Sequence, residues 1–128
     1  MLEVTAKDIN RNRIVTPGWY KVLFEGYDEK VSSKGDSNNH YLEGSIICND
    51  DTGDTEFAGC PTPLGYCFSE KVPAFAIGLM EAMGETVVPG RIDLSAMVGK
   101  EVAIYFENGE YDGRIVNRIN HKYRAPKS

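Results

Sequence analysis

From Gly18 to Glu29 the chain reads GWYKVLFEGYDE, and its side chains alternate with a period of two. That period places Tyr20, Val22 and Phe24 on one face of an extended strand and Trp19, Lys21, Leu23, Glu25 and Tyr27 on the other. A helical winding would scatter these residues around its axis, so the segment commits the fold to a half-buried β-sheet. Pro17-Gly18 marks a turn before the strand, and Gly26 allows a bend within it. After the polar loop KVSSKGDSNN a second strand repeats the pattern. Leu42, Ile46 and Cys48 point one way, and Tyr41, Glu43, Ser45 and Ile47 the other. Gly44 marks a coil or bulge of the kind small closed barrels use to bend a strand.

NDDTGD then supplies a turn, TEFAGC reads as a short third strand, and PTPLGYCFSEK reads as a loop from its prolines and glycine. The period changes after that. Val72, Phe75, Ala76, Leu79, Met80 and Met83 form one apolar stripe on a helix. Ser69 is the candidate cap, Pro73 fits only the first turn, and Gly84 is the stop. DLSAMVGK adds one helical turn between Asp93 as cap and Gly99. In a fourth strand Val102, Ile104 and Phe106 alternate with Glu101, Ala103, Tyr105 and Glu107. NGEYDG is a hairpin connection, and GRIVNRINHKY is the fifth strand, with Ile115 and Ile119 opposite Arg114, Val116, Arg118 and Asn120.

The order strand, strand, strand, helix, strand, strand predicts a mainly β domain with one main helix, arranged as a five-stranded OB-fold barrel. A generic α+β roll of the same elements is the alternative. One domain is expected for 128 residues, with residues 1–16 as an N-terminal extension, 17–123 as the barrel and 124–128 as a short basic tail.

Charge is unevenly distributed. The net charge is −5, yet Arg114, Arg118, Lys122, Arg124 and Lys127 face no acidic residue from Gly113 to the end. Residues 1–112 hold nine basic and nineteen acidic side chains, a formal −10. An acidic protein as a whole disfavours polyanions, but screening at physiological salt confines such fields to about 8 Å, so a basic strand acts locally. The apolar runs are too short to span a bilayer, and MLEVTAKDINRNR lacks a signal core. A cytoplasmic protein with no membrane partner is therefore expected.

The three cysteines, Cys48, Cys60 and Cys67, form no CxxC pair, and His40 and His121 lie far from them in sequence. Reduced structural thiols are expected, with no cofactor and no metal. Asp50, Asp51 and Asp54 lack calcium-loop spacing and read as a turn. SSKG lacks the spacing of a phosphate-binding P-loop. HExxH and GxSxG are both missing, so no enzymatic activity is expected.

The loops and faces point elsewhere. In OB-folds ligands bind across strands two and three, under the loops joining strands 1–2 and 4–5. Here the first loop carries Lys30 and Lys34, flanked by Tyr27 and Tyr41. Trp19 and Lys21 lie on the outward face of strand one, and Arg114 and Arg118 extend the set onto strand five. Rings stack on bases of any identity while Lys and Arg neutralise phosphates, which is the chemistry of single-stranded nucleic acid binding.

Residues 15 to 126 also resemble a family of small phage and prophage proteins. The similarity is carried by PGWYKVLFEGYDEKVSSKGDSNNHYLEGSII, by the FAIGLMEAMG helix followed by DLSAMVGKEVAIYF, and by the closing YDGRIVNRINHKYRAP. The family is understood as OB-fold single-stranded-DNA-binding proteins of phage replication or recombination. The resemblance implies a DNA-contacting role for Lys30, Lys34 and Gly35 and for the exposed aromatics of strands one and two. It also implies replication or recombination proteins as partners. A protein-interaction or virion structural module is the competing reading, favoured by the acidic body. An oligosaccharide-binding barrel is a third. Open strand edges and Ile47 offer a surface for a homodimer.

Overall fold

The computed structural model describes residues 1–11, 13–31, 35, 38–63 and 66–127. The chain is mainly β. Strands β1 (Gly18–Val31), β2 (Asn38–Asn49), β3 (Tyr66–Ser69), β4 (Glu101–Tyr111) and β5 (Arg114–Arg124) form one antiparallel sheet in the order β3-β2-β1-β4-β5. Helix α1 (Ala6–Arg11) precedes the sheet, and α2 (Pro73–Ala82) and a 3₁₀ turn (Leu94–Met97) connect β3 to β4. Among the described residues no ladder joins β3 to β5, so the sheet is open. Its two edges still lean together, because Phe68 on β3 and His121 on β5 meet ring to ring at 6.1 Å. None of the described helices is long and apolar enough to cross a membrane.

The alternation of β1 builds the core. Tyr20, Val22 and Phe24 are buried and pack with Leu42, Ile46, Phe68, Val102, Ile104 and Phe106. Tyr20 packs edge-on against Phe106 and Phe57, at 5.4 and 6.1 Å, and its hydroxyl donates to the Thr16 carbonyl. Helix α2 lies against β5 and β3 and inserts Ala76 and Leu79 into this core. Gly78 faces the Tyr123 ring, and a Cβ there would stand 3.9 Å from it, at ordinary contact distance. The helix ends as its sequence predicts: Gly84 has φ +85° and its N–H reaches the Glu81 carbonyl. Its start differs. Val72 occupies the cap position without a side-chain bond, and the Ser69 hydroxyl instead accepts from the Lys71 N–H. The Asp93 cap is formed, its carboxylate accepting from the Ser95 N–H.

The third strand is not where alternation placed it. TEFAGC folds as turns, because Gly59 adopts φ +88° and the chain doubles back with Cys60 N–H on the Phe57 carbonyl. Phe57 and Cys60 are both buried, three residues apart, which an extended strand does not allow. The segment still flanks β2, since the Ile46 N–H donates to the Cys60 carbonyl and the Gly59 N–H to that of Ile46. The actual β3 lies within the segment read as a loop, where Phe68 faces the core opposite His40. Four residues behind two prolines carry too short a pattern to be read as a strand. The β4–β5 connection also shrinks from NGEYDG to Asp112-Gly113, whose φ values of +52° and +78° suit a tight primed hairpin turn.

The segment just before β1 is anchored to the sheet. Val15 is 0% exposed, within the segment read as an extension. Its N–H donates to the Asn117 side chain, and the Asn117 amide donates to the Arg13 carbonyl.

Three irregularities curve the sheet. One extra residue enters at Ile47 on β2 and one at Glu25 on β1. On β5, Asn120 to Lys122 lie opposite the single Tyr105 of β4. Gly44 sits buried between the first two bulges, where a Cβ would lie 2.7 Å from the Leu23 carbonyl oxygen and 2.8 Å from Val22 Cγ1. Backbone cannot yield there as a side chain would. Gly44→Ala is therefore expected to lower stability by about 1–3 kcal/mol, the range for overpacking a filled site, measured as a shifted urea midpoint at unchanged slope.

Candidate functional site

Two residues of the sequence-predicted set come together on the outer face of β1. Trp19 stands opposite Tyr105 of β4, and Lys21 stands opposite Ala103, whose other neighbour is Arg124 of β5. The Trp19 and Tyr105 rings meet edge-on at 5.5 Å. The Arg124 guanidinium lies 4.4 Å from the indole centroid, and the Lys122 ammonium 5.4 Å from that of Tyr105. The result is a half-buried aromatic pair bordered by Lys21, Lys122 and Arg124. Each cation–ring contact contributes about 0.5–1 kcal/mol at such exposure. Sequence reasoning left out Tyr105, Lys122 and Arg124. Tyr105 carried a signal, the outward phase of β4, and both cations lay in the basic run. Only the sheet register assembles them around Trp19.

Arg124 is held by the acidic turn. The Asp50 side chain is 0% exposed. Its Oδ2 accepts from Arg124 Nε and Nη2 at 3.1 and 2.9 Å, and its Oδ1 accepts from the Lys127 N–H at 3.1 Å. Asp51 Oδ1 accepts from Arg124 Nη2 and Lys127 Nζ, both at 2.7 Å. The hydrogen bonds from Lys127 and then Arg124 hold the Asp51 carboxyl below the usual carboxylate range, and the Asp51 bond in turn raises Arg124. The DDTGD turn is thus the counter-charge for the C-terminal segment. Arg124 and Lys127 are neutralised within the chain, leaving Lys21 and Lys122 as the cations beside the aromatic pair.

The remaining predicted residues are spread out. The bulge at Glu25 reverses the alternation of β1, so Tyr27 faces Leu42 and packs on the core instead of joining Trp19 outside. Its hydroxyl pairs with His40 Nδ1 at 2.6 Å, and burial, ahead of the nearby Glu29 charge, raises its pKa. Lys30 and Tyr41 do meet, with the ammonium 5.5 Å from the ring centroid and 3.8 Å from Asp28. They lie eleven residues from Trp19 along β1, roughly 35 Å of extended chain. Lys34 falls outside the described residues. Arg118 rests its guanidinium over Gly109, across from Glu107. Arg114 lines a separate cleft of about 990 Å³ with Arg11, Arg13, Glu25, Glu43 and Ile115.

A second polar cluster sits where the mouth of the sheet meets α2. Glu29 and His40 are cross-strand partners, and Glu70 follows β3. His40 Nε2 lies 2.8 Å from Glu70 Oε2 and 3.6 Å from Glu29 Oε1. The bonds from His40, and then from the Asn38 backbone, hold Glu70 below its ordinary pKa. Neither protein-family models nor the curated proteins give a match to this chain.

Asp50→Ala is expected to cost about 2 kcal/mol, as it removes the acceptor of charge-assisted bonds from Arg124 and of the Lys127 N–H. Chemical denaturation measures the loss. Trp19 emission should shift as Arg124 leaves the indole. Asp51 is depressed in the folded state, so its contribution is present above about pH 4 and is lost as pH falls through its lowered folded value. Asp51→Asn is therefore expected to flatten the acid limb of a Tm–pH profile.

Proposed function

We propose that the protein binds single-stranded DNA, with little sequence preference, across the outer face of β1, β4 and β5. The observation that carries this reading is the Trp19–Tyr105 pair bordered by Lys21 and Lys122. Such a platform offers π-faces to bases and ammonium groups to the flanking phosphates. Lys30 with Tyr41 extends the track toward the β1–β2 loop, and Arg118 extends it along β5. The sheet order, with β1 between β2 and β4 and a helix between β3 and β4, supports an OB-type barrel whose last closure is made by side chains. The role we assign is phage-type replication or recombination in a bacterial cytoplasm.

Trp19 is the only indole, so its emission reports a titration with an unlabelled dT oligomer. Binding is expected at low salt in the micromolar range or tighter. With Lys21, Lys30, Lys122 and Arg118 on phosphates, log K should fall with log salt at a slope of about −3. Tyr105→Ala should weaken binding about 5- to 150-fold, the loss of one stacked base. Tyr27→Phe should leave it unchanged, because Tyr27 faces inward. No binding by calorimetry at low salt sinks the proposal. That result would favour the second reading, a protein-interaction or virion structural module. The observation behind that reading is the 990 Å³ cleft, where Tyr111 and Ile115, 68% and 63% exposed, lie beside Arg11, Arg13, Arg114, Glu25 and Glu43.

A further inference from the structure

We propose that Glu29, His40 and Glu70 form a binding site for a divalent transition-metal ion of the zinc type, separate from the aromatic platform. Three strands deliver the ligands to one point. Glu29 on β1 is the direct cross-strand partner of His40 on β2, and His40 is also the partner of Phe68 on β3. Two residues past Phe68 the chain carries Glu70 back over the same spot. One candidate donor atom from each residue lies within 4.8 Å of the other two.

The spacing suits an ion. Zinc bonds to imidazole nitrogen and carboxylate oxygen at about 2.0–2.2 Å, so tetrahedral ligand atoms stand about 3.3 Å apart. The two His40 Nε2 distances, 2.8 and 3.6 Å, bracket that value. Both carboxylates are on exposed side chains, free to adjust by rotation about their own bonds.

The outer shell is also in place. A metal-bound histidine characteristically offers its other ring nitrogen to an oriented partner, which fixes the ring and its tautomer. Tyr27 Oη occupies that position on Nδ1 at 2.6 Å, and its own ring is anchored in the core. The Asn38 amide donates to Glu29 Oε1 at 3.2 Å, and the Asn38 N–H reaches Glu70 Oε1 at 3.4 Å. A nitrogen and two carboxylates favour zinc and its late first-row neighbours over calcium or magnesium, which take oxygen ligands. Three protein ligands leave a coordination position open. The three residues themselves line a cleft of about 580 Å³, together with Phe68, Ala76, Ile92 and Arg91.

The test uses the full chain, freed of metal with a chelator and titrated with zinc chloride by calorimetry. Cobalt absorption reports the ligand set. One ion per chain is expected, with a raised Tm. His40→Ala should abolish binding, the Glu29→Gln, Glu70→Gln pair should weaken it at least about 10-fold, and Tyr27→Phe about 10-fold. Cys48→Ser with Cys67→Ser should change nothing. The glutamates are exposed, so their double variant carries the test if His40→Ala fails to fold. A folded wild-type chain that takes up no zinc overturns the proposal and leaves the cluster as an ion-pair network. Binding that survives the glutamate pair overturns it as well. Neither result touches the DNA titration, which reads other residues.

Discussion

A single buried carboxylate ties the structure together. Asp50 follows β2, its N–H donates to the Trp19 carbonyl on β1, and its side chain holds Arg124 at the end of β5 and the backbone of Lys127. Those contacts join the middle of the sheet to the edge farthest from β2 and to the C-terminus. A buried anion is tolerable only when paired and hydrogen-bonded, and Asp50 meets both conditions. The charge asymmetry of the chain follows from the same contact. Its acidic body and basic end partly neutralise each other across the outer face of the sheet, and Arg124 is thereby held over the Trp19 ring.

The bulges do the rest of the positioning. A bulge in one strand reverses the phase of everything beyond it, because side chains alternate with period two. Glu25 turns Tyr27 inward, which removes an aromatic from the outer face and supplies the partner that orients His40. On β5 the irregularity places His121 at φ +52°, a conformation uncommon for a residue with a Cβ. Its ring is stacked on Phe75 at 3.9 Å and bonded to the Tyr123 hydroxyl at 2.6 Å. Burial keeps its pKa below the ordinary value, which favours the neutral ring that such packing suits. The stack gives Phe75, the outermost member of the apolar stripe of α2, a partner on β5.

How much was legible depends on how far each pattern ran before an interruption. The first half of β1, the body of α2 and β4 follow from runs long enough to show one period, and the Asp93 cap follows from a single residue type before a helical turn. β3 was misplaced because the short segment TEFAGC follows a turn where a strand is expected, while the true strand has four residues and two prolines ahead of it. In the candidate site, Trp19 and Lys21 were legible from the phase of β1. Tyr27 was assigned to the wrong face, because nothing local marks Glu25 as the extra residue. Gly26 and Gly44 signalled a bend but not its register.

By itself the sequence determined the β character of the chain, the place of its main helix and the part of the core supplied by Tyr20, Val22, Phe24, Leu42, Ile46, Leu79, Val102, Ile104 and Phe106. Hydrophobic periodicity is a local property, and it survives whatever the rest of the chain does. Only the tertiary structure decided which outward residues meet. Trp19 gains Tyr105, Lys122 and Arg124, and His40 gains Glu29, Glu70 and Tyr27, through cross-strand register and the bulges that shift it. Register is set by pairing between distant segments, so the contacts that define both sites have no trace in the spacing of their residues along the chain.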